Sequence, residues 1–281
     1  MFSLSVKNKY DEVLELTNND AYVIKEINGL DPPDNILNMS RIAGDDGSVL
    51  NSVYTDNRTI TITLAVNEPA EENRIRLYRY FKAKTQLRLY YQNDSRDVCI
   101  DGYVQSMPIS FFAKKEIVQI TIVCPKPFFR GSYESVSDFS VVEALFEFPF
   151  EITTPIPFSD LDYDDTAVVM NNGDVETGAV IRIAAVGEVT NPKIIMTPSN
   201  EYFEILDTMA SGDVIIINTN KKSKSVTKTA SGITTNIIGK VKYGSTWFQL
   251  QPDSNVFYVT ATSGAVNIIT SFEVVNLFEG V

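Results

Sequence analysis

From residue 166 onward the chain reads as short strand-forming runs set apart by turn residues, and this spacing constrains the fold more than any other feature. The runs are Ala167–Met170, Ala179-Val180-Ile181-Arg182-Ile183, Lys193-Ile194-Ile195-Met196, Asp213-Val214-Ile215-Ile216-Ile217, Ser245-Thr246-Trp247-Phe248-Gln249-Leu250 and Phe257-Tyr258-Val259. Between them stand Asn172-Gly173-Asp174, Asn191-Pro192, Gly212 and Ala230-Ser231-Gly232. Runs too short to be helices, rich in β-branched and aromatic residues and closed by turn formers, predict an antiparallel sandwich.

The first half carries a mixed pattern. Val23–Ile27 predicts a short strand, ended by Asp31-Pro32-Pro33-Asp34, and the segment to Tyr54, with Ala43-Gly44-Asp45-Asp46-Gly47 inside it, reads as a long loop. Arg58-Thr59-Ile60-Thr61-Ile62-Thr63-Leu64 alternates polar and apolar, the mark of a strand with one wet face. Glu68–Lys84 predicts the one helix: Pro69 suits its first turn, Glu71 and Glu72 its positive end, Lys82 and Lys84 its negative end. Leu77, Tyr78 and Phe81 form its core stripe with Ile75 at the margin, leaving Arg76, Arg79 and Tyr80 to project elsewhere. Strand-forming segments follow at Gln86–Gln92, Val98–Phe112 and Glu116–Cys124, the last two joined through Ala113-Lys114-Lys115. Pro125 to about Ser140 reads as a linker, and Phe146–Ile152 resumes the alternation. The chain divides accordingly into 1–130 and 131–281.

Composition removes several function classes. Of 281 residues none is histidine, which excludes Ser-His-Asp and Cys-His catalysis and the commonest metal ligand. Cys99 and Cys124 fall in predicted strands and read as small buried residues rather than a disulfide or zinc pair. No carboxylate pair stands out from the surface acids as glycosidase chemistry would need, so the chain reads as no enzyme and as holding no cofactor. The net charge of −12 is uneven: 16 Lys+Arg against 17 Asp+Glu in 1–130, but 8 against 19 in 131–281. An acidic second half does not grip a phosphate backbone, so no sequence-specific nucleic acid is expected. No apolar run reaches bilayer length and the start of the chain does not resemble a signal peptide, so no membrane partner and synthesis in the cytosol are expected.

Three further features have sharp and plain readings. Asp160-Leu161-Asp162-Tyr163-Asp164-Asp165 places carboxylates at alternate positions, as a calcium loop does, but Asp165 and Asn171 occupy the positions where that loop needs glycine and glutamate. It reads as an acidic surface loop, with no metal. Lys221-Lys222-Ser223-Lys224 is the basic cluster of the acidic half and reads as a solvated hairpin tip rather than a site for an anionic wall polymer. Trp247 and Phe248, on adjacent positions, read as core residues rather than a sugar platform.

The order of the small motifs carries a resemblance. Asn172-Gly173-Asp174-x-x-x-Gly178, Asn191-Pro192, Gly212-Asp213, Trp247-Phe248-x-Leu250-x-Pro252 and Phe278-Glu279-Gly280-Val281 resemble the C-terminal domain of the phage distal tail protein (Dit) family. Ile27-Asn28-Gly29-Leu30, the Ala43–Gly47 loop, Arg58 and Cys124-Pro125-x-Pro127-Phe128-Phe129 resemble its N-terminal domain. One departure is Gln251-Pro252-Asp253-Ser254-Asn255, where the family often has Pro-Gly and then Asn. The resemblance implies a mainly β protein: an N-terminal β-sandwich or split-barrel ring domain with one helix, and a C-terminal galectin-like sandwich. It implies a structural protein of the virion tail tip in phages of Gram-positive hosts, a hexameric ring that joins the tail tube to the hub or tail-associated lysin and supports receptor-binding proteins. The alternative is a cell-wall carbohydrate-binding adhesin module of the tail tip. The candidate ring contacts are Arg76, Arg79 and Tyr80 on the helix and Asp45 and Asp46 in the loop.

Overall fold

The computed structural model describes residues 2–44, 46–110, 115–133, 135–140 and 166–281. The chain forms two compact units, Met1–Tyr133 with Leu277–Val281, and Glu134–Asn276. The second unit is therefore inserted, in sequence, before the closing strand of the first. The boundary read from sequence left 277–281 with the second half, because their pairing partner lies about 150 residues away and no local pattern announces it.

The first unit runs β1 (Ser3–Lys7), β2 (Val13–Glu15), β3 (Tyr22–Asn28), β4 (Asn35–Ser40), β5 (Val49–Thr55), β6 (Arg58–Val66), α1 (Ala70–Tyr80), β7 (Gln86–Gln92), β8 (Asp97–Ser106), β9 (Glu116–Cys124) and β10 (Phe129–Gly131). The second unit supplies β11 (Ser135–Ser140), β12 (Thr166–Asn171), β13 (Ala179–Ala185), β14 (Val189–Thr197), β15 (Glu201–Glu204), β16 (Thr208–Met209), β17 (Val214–Asn218), β18 (Ser225–Ala230), β19 (Ile233–Asn236), β20 (Asp253–Ser263) and β21 (Ile268–Val274), and β22 (Leu277–Phe278) returns to the first.

The first sheet follows the order β2-β1-β7-β8-β9-β6-β3, with β10 pairing β8 and β22. Its end strands do not pair, so it is open rather than a closed barrel. The alternation read in β6 is what builds its core. Ile60, Ile62 and Leu64 are fully buried opposite Ile122, Ile120 and Val118 of β9, while the intervening threonines stay on the wetter face. Helix α1 seals this core with Leu77 and Phe81. Two tyrosines depart from the predicted stripe: Tyr80 packs against the core and Tyr78 is exposed. The inward positions run Ala70, Leu77, Tyr80 and Phe81, spacings of three, four and seven residues, so Tyr78 falls past the edge of that face. The helix also begins later than predicted, with Pro69 at its N-cap.

In the second unit a six-stranded sheet, β11-β21-β13-β17-β18-β19, faces a five-stranded one, β12-β20-β14-β15 with β16 beside β14. They share one core: Ile181, Ile183, Ile215, Ile217 and Phe272 from the first, Val169, Ile194, Phe203 and Phe257 from the second. Phe257 meets Phe272 in a stacked pair and Phe248 edge-on. This is the predicted antiparallel sandwich. The presumed linker contributes β10 and β11, each laddered to a distant strand. Ser245–Leu250, predicted as a strand, is irregular; its backbone bonds reach Tyr202 and Thr177 at its two ends. Phe248 is core, and Trp247 is half-buried, edge-on to Phe203 with Lys224 over its ring. At the departure from the family pattern, Asp253 takes φ +73°, the left-handed conformation that a glycine would adopt freely. Asn255 closes that turn by accepting from the Gln251 N–H at 2.9 Å and donating to the Gln251 carbonyl at 2.8 Å.

Candidate assembly surface

Among the described residues, strands β4 and β5 pair only with each other, and every residue of β4 is exposed. The segment read as a loop is thus a hairpin arm with Gly44 to Gly47 at its tip. The sequence carried the signal, a Gly-Asp-Asp-Gly turn between two strand-forming runs. It lacked the alternation that comes from one buried face, because neither face of this pair is buried within the chain.

The register gives the arm its chemistry. Leu37 opposes Val53, Asn38 opposes Ser52, and then the register shifts so that Met39 opposes Leu50 and Asn51 is the extra residue. Without that bulge Met39 would oppose Asn51, and Leu50 would turn to the other face. With it, Leu37, Met39, Leu50 and Val53 form one contiguous apolar face, at 52%, 54%, 53% and 49% exposure. Ile36 and Tyr54 stand exposed on the opposite face. A lone two-stranded hairpin is marginal in water, and a contiguous exposed apolar patch marks a site of protein association. Burying the exposed halves of four such side chains contributes on the order of 1 kcal/mol each.

The residues singled out from sequence fall on two elements. Asp46 lies at the tip of the arm, and Asp45 is outside the described residues. Arg76 is exposed on α1. Arg79 reaches the β1–β2 turn, where its Nε donates to Glu12 Oε2 at 3.0 Å and Nη2 to Oε1, which holds the Glu12 carboxyl below its ordinary range after the larger effect of Asn8. Tyr80 belongs to the core side. Beside Arg76, Ile75 and Tyr78 are exposed, so the outward face of α1 is more apolar than the sequence reading made it.

Several polar features of the second unit are tied to one another. Asn171 is fully buried; its Nδ2 donates to the carbonyls of Val175 and Leu250 and its Oδ1 accepts from the Gly173 N–H. The Asn-Gly-Asp motif is therefore a turn, tied to Leu250. Lys228 pairs with Asp213 at 3.0 Å and Asp207 at 3.5 Å, and Lys240 with Asp207 at 2.8 Å. Both aspartates lie below the ordinary carboxylate range: the Ala210 N–H leads for Asp213, and the two lysines outweigh burial for Asp207. The lysine cluster is the predicted hairpin tip between β17 and β18, with Lys221 paired to Glu176. The acidic run 160–165 lies outside the described residues. Among the described residues no group of three or more histidines, cysteines or acids is placed to hold a metal. Burial pushes the Cys124 thiol up to about 12, so it stays protonated. No described helix is long and apolar enough to cross a membrane.

Residues 172–273 match the family described as siphovirus-type tail component, C-terminal domain. Among solved structures, the Dit protein (gp 19.1) of phage SPP1, described as a paradigm of the hub adsorption apparatus in phages that infect Gram-positive hosts, superposes with a TM-score of 0.70 at 14% identity, over 98% of this chain and 99% of that one. Chains of the phage P2 baseplate in its activated conformation, with Ca and with Sr, give 0.53 and 0.52 at 12% identity, each over 98% of both chains. No curated protein sequence matches. The fold along the whole chain and the family over its second unit bear out the resemblance carried by the motif order.

Proposed function

We propose that this chain, a structural phage tail component whose second unit belongs to the siphovirus-type family, closes with five further copies into a ring at the distal end of the tail tube. The observation that carries the proposal is the β4–β5 arm, whose apolar face of Leu37, Met39, Leu50 and Val53 is exposed and which pairs with no other strand among the described residues. A closed ring uses two different patches on each subunit, one inserting and one receiving. We assign the arm as the inserting patch. The receiving patch is the outward face of α1, where Ile75 and Tyr78 stand exposed beside Arg76 and Arg79. Asp46, at the turn of the arm, lies at the rim of that contact, and Asp45 is its neighbour in sequence.

The ring in this reading joins the tail tube to the hub or tail-associated lysin, and the galectin-like second unit supports receptor-binding proteins around it. The site of action is the virion tail tip, reached from synthesis in the bacterial cytoplasm. The work is assembly rather than catalysis: the matched family is a tail component, and the buried acid Asp213 and its neighbour Asp207 are held in ion pairs with Lys228 and Lys240.

Native mass spectrometry of the full chain tests this. Six copies of 31.3 kDa give a species at about 188 kDa. Where the isolated protein is monomeric in dilute solution, co-expression with the hub protein produces the ring. Monomers in both settings overturn the proposal.

A further inference from the structure

Among the described residues β4 and β5 ladder only with each other, so the direction of the arm is set by the residues at its root. Those residues converge on one side chain. Arg58 opens β6 directly after the arm and is 3% exposed. Its guanidinium spends its donors on main-chain carbonyls of three segments: Nη1 donates to Gly29 at 2.7 Å and Asp31 at 2.6 Å, Nε to Pro127 at 2.5 Å, and Nη2 to Glu279. The ring of Phe129 lies beneath it at 4.6 Å. A planar fork of fixed N–H directions is suited to tie three segments at once, as a flexible ammonium is not.

Residues 277–281 complete the arrangement. Phe278 pairs with Phe129 in the β10–β22 ladder, and the Arg96 guanidinium stands 4.5 Å over its ring. The Val281 N–H donates to the Leu30 carbonyl at 3.3 Å, and Val281 packs on the first core. Gly280 lies so close that a Cβ there would come within 3.2 Å of the Leu30 carbonyl oxygen and 3.3 Å of Pro32. Gly29 holds φ +87°, and a Cβ on it would meet the Thr59 carbonyl oxygen at 2.1 Å, so the chain leaves β3 at a point with no room to shift.

We propose that Arg58 and residues 277–281 form a latch that fixes the root of the β4–β5 arm in the orientation used for assembly. Arg58 is a positioning residue: it touches no partner and acts by holding Gly29 and Asp31. Because 277–281 follow the second unit in sequence, the arm is set only after the chain through that unit has been made, which delays assembly until the second unit has been synthesised. This proposal rests on the reading of the arm as the assembly element.

The test uses three full-length variants: Arg58→Lys, Gly280→Ala, and a chain with 277–281 replaced by glycine and serine. Two readouts are taken, amide hydrogen exchange of peptides spanning 29–35 and native mass. In Arg58→Lys and the replaced chain, exchange at 29–35 rises about tenfold or more while β6 and β9 stay protected, and the ring population falls by a similar factor. Gly280→Ala, which keeps every donor and adds one methyl group, gives a smaller change of the same sign and serves if Arg58→Lys does not fold. Unchanged exchange at 29–35 in the variants that fold overturns the latch, whatever the ring does. Faster exchange there with an undiminished ring upholds the latch and overturns the reading that the arm carries assembly.

Discussion

Strands β6 and β5 have similar composition and opposite environments. In β6 every second side chain is sealed between the sheet and α1, and the strand has partners on both edges. In β5, Val49, Leu50, Val53 and Tyr54 are exposed, and the strand has one partner. Apolar content alone therefore does not say where a strand is buried. What separates the two is the count of covered faces: β6 has one within its own chain, and the arm has none. An apolar strand that its chain does not cover is a strand whose core belongs to an assembly.

That contrast can be broken or sharpened by measurement. Its largest expression is in hydrogen exchange of the monomer. Amides of β4 and β5 exchange through local opening, several orders of magnitude faster than those of β6 and β9, which open only with the whole unit. Equal protection in the two places would mean that the arm is covered in the monomer. Next in size is Phe81→Ala, which removes a buried ring and lowers the stability of the first unit by about 3–5 kcal/mol in denaturant titration; Leu37→Ala in the arm shifts it by about 0.5 kcal/mol or less. In the second unit Asn171→Ala removes the acceptor of the Gly173 N–H and the donor to the Val175 carbonyl, while the Leu250 carbonyl keeps the Thr177 N–H, and costs about 1–3 kcal/mol. The smallest change is in Arg79→Ala. Its ion pair with Glu12 is solvent-screened, so thermal melts of the monomer barely shift, while ring assembly weakens. A loss as large as that of Phe81→Ala would make Arg79 a structural residue.

The sequence revealed the elements whose pattern is made locally. The bounds of β7 and β9, the start of β6 and the body of β13 follow from alternation that one buried face imposes, and α1 from its core stripe and end charges. Where the determinant is distant or absent, the pattern is silent. The arm shows no alternation because both faces meet solvent. β10 and β22 are two or three residues long and are defined only by pairing with strands distant in sequence, β10 with β8 and β22, and β22 with β10. Ser245–Leu250 alternates because Phe248 and Leu250 are buried, yet it has no neighbour to ladder with, so it is irregular. Of the candidate contact residues, Arg76 and Arg79 lie on the helix and Asp46 in the turn of the arm, the elements the sequence assigned them to. The sequence reading missed the apolar face between them, which depends on a one-residue bulge at Asn51, and it exchanged Tyr78 with Tyr80. The latch was beyond it altogether, since Arg58 meets partners 29, 69 and 221 residues away. A fragment of residues 1–130 would lack part of that latch and is a poor test of assembly for that reason.

The most direct measurement compares the full chain with a Leu37→Lys, Val53→Lys variant by native mass spectrometry, alone and with co-expressed hub protein. Both substitutions lie on the exposed apolar face of the arm, so the thermal midpoint of the monomer is unchanged within about a degree or two. The account predicts a species at about 188 kDa for the unmodified chain, six copies of 31.3 kDa, and only monomer for the variant under the same conditions. A variant that still forms the six-membered species would show that the arm does not carry the ring.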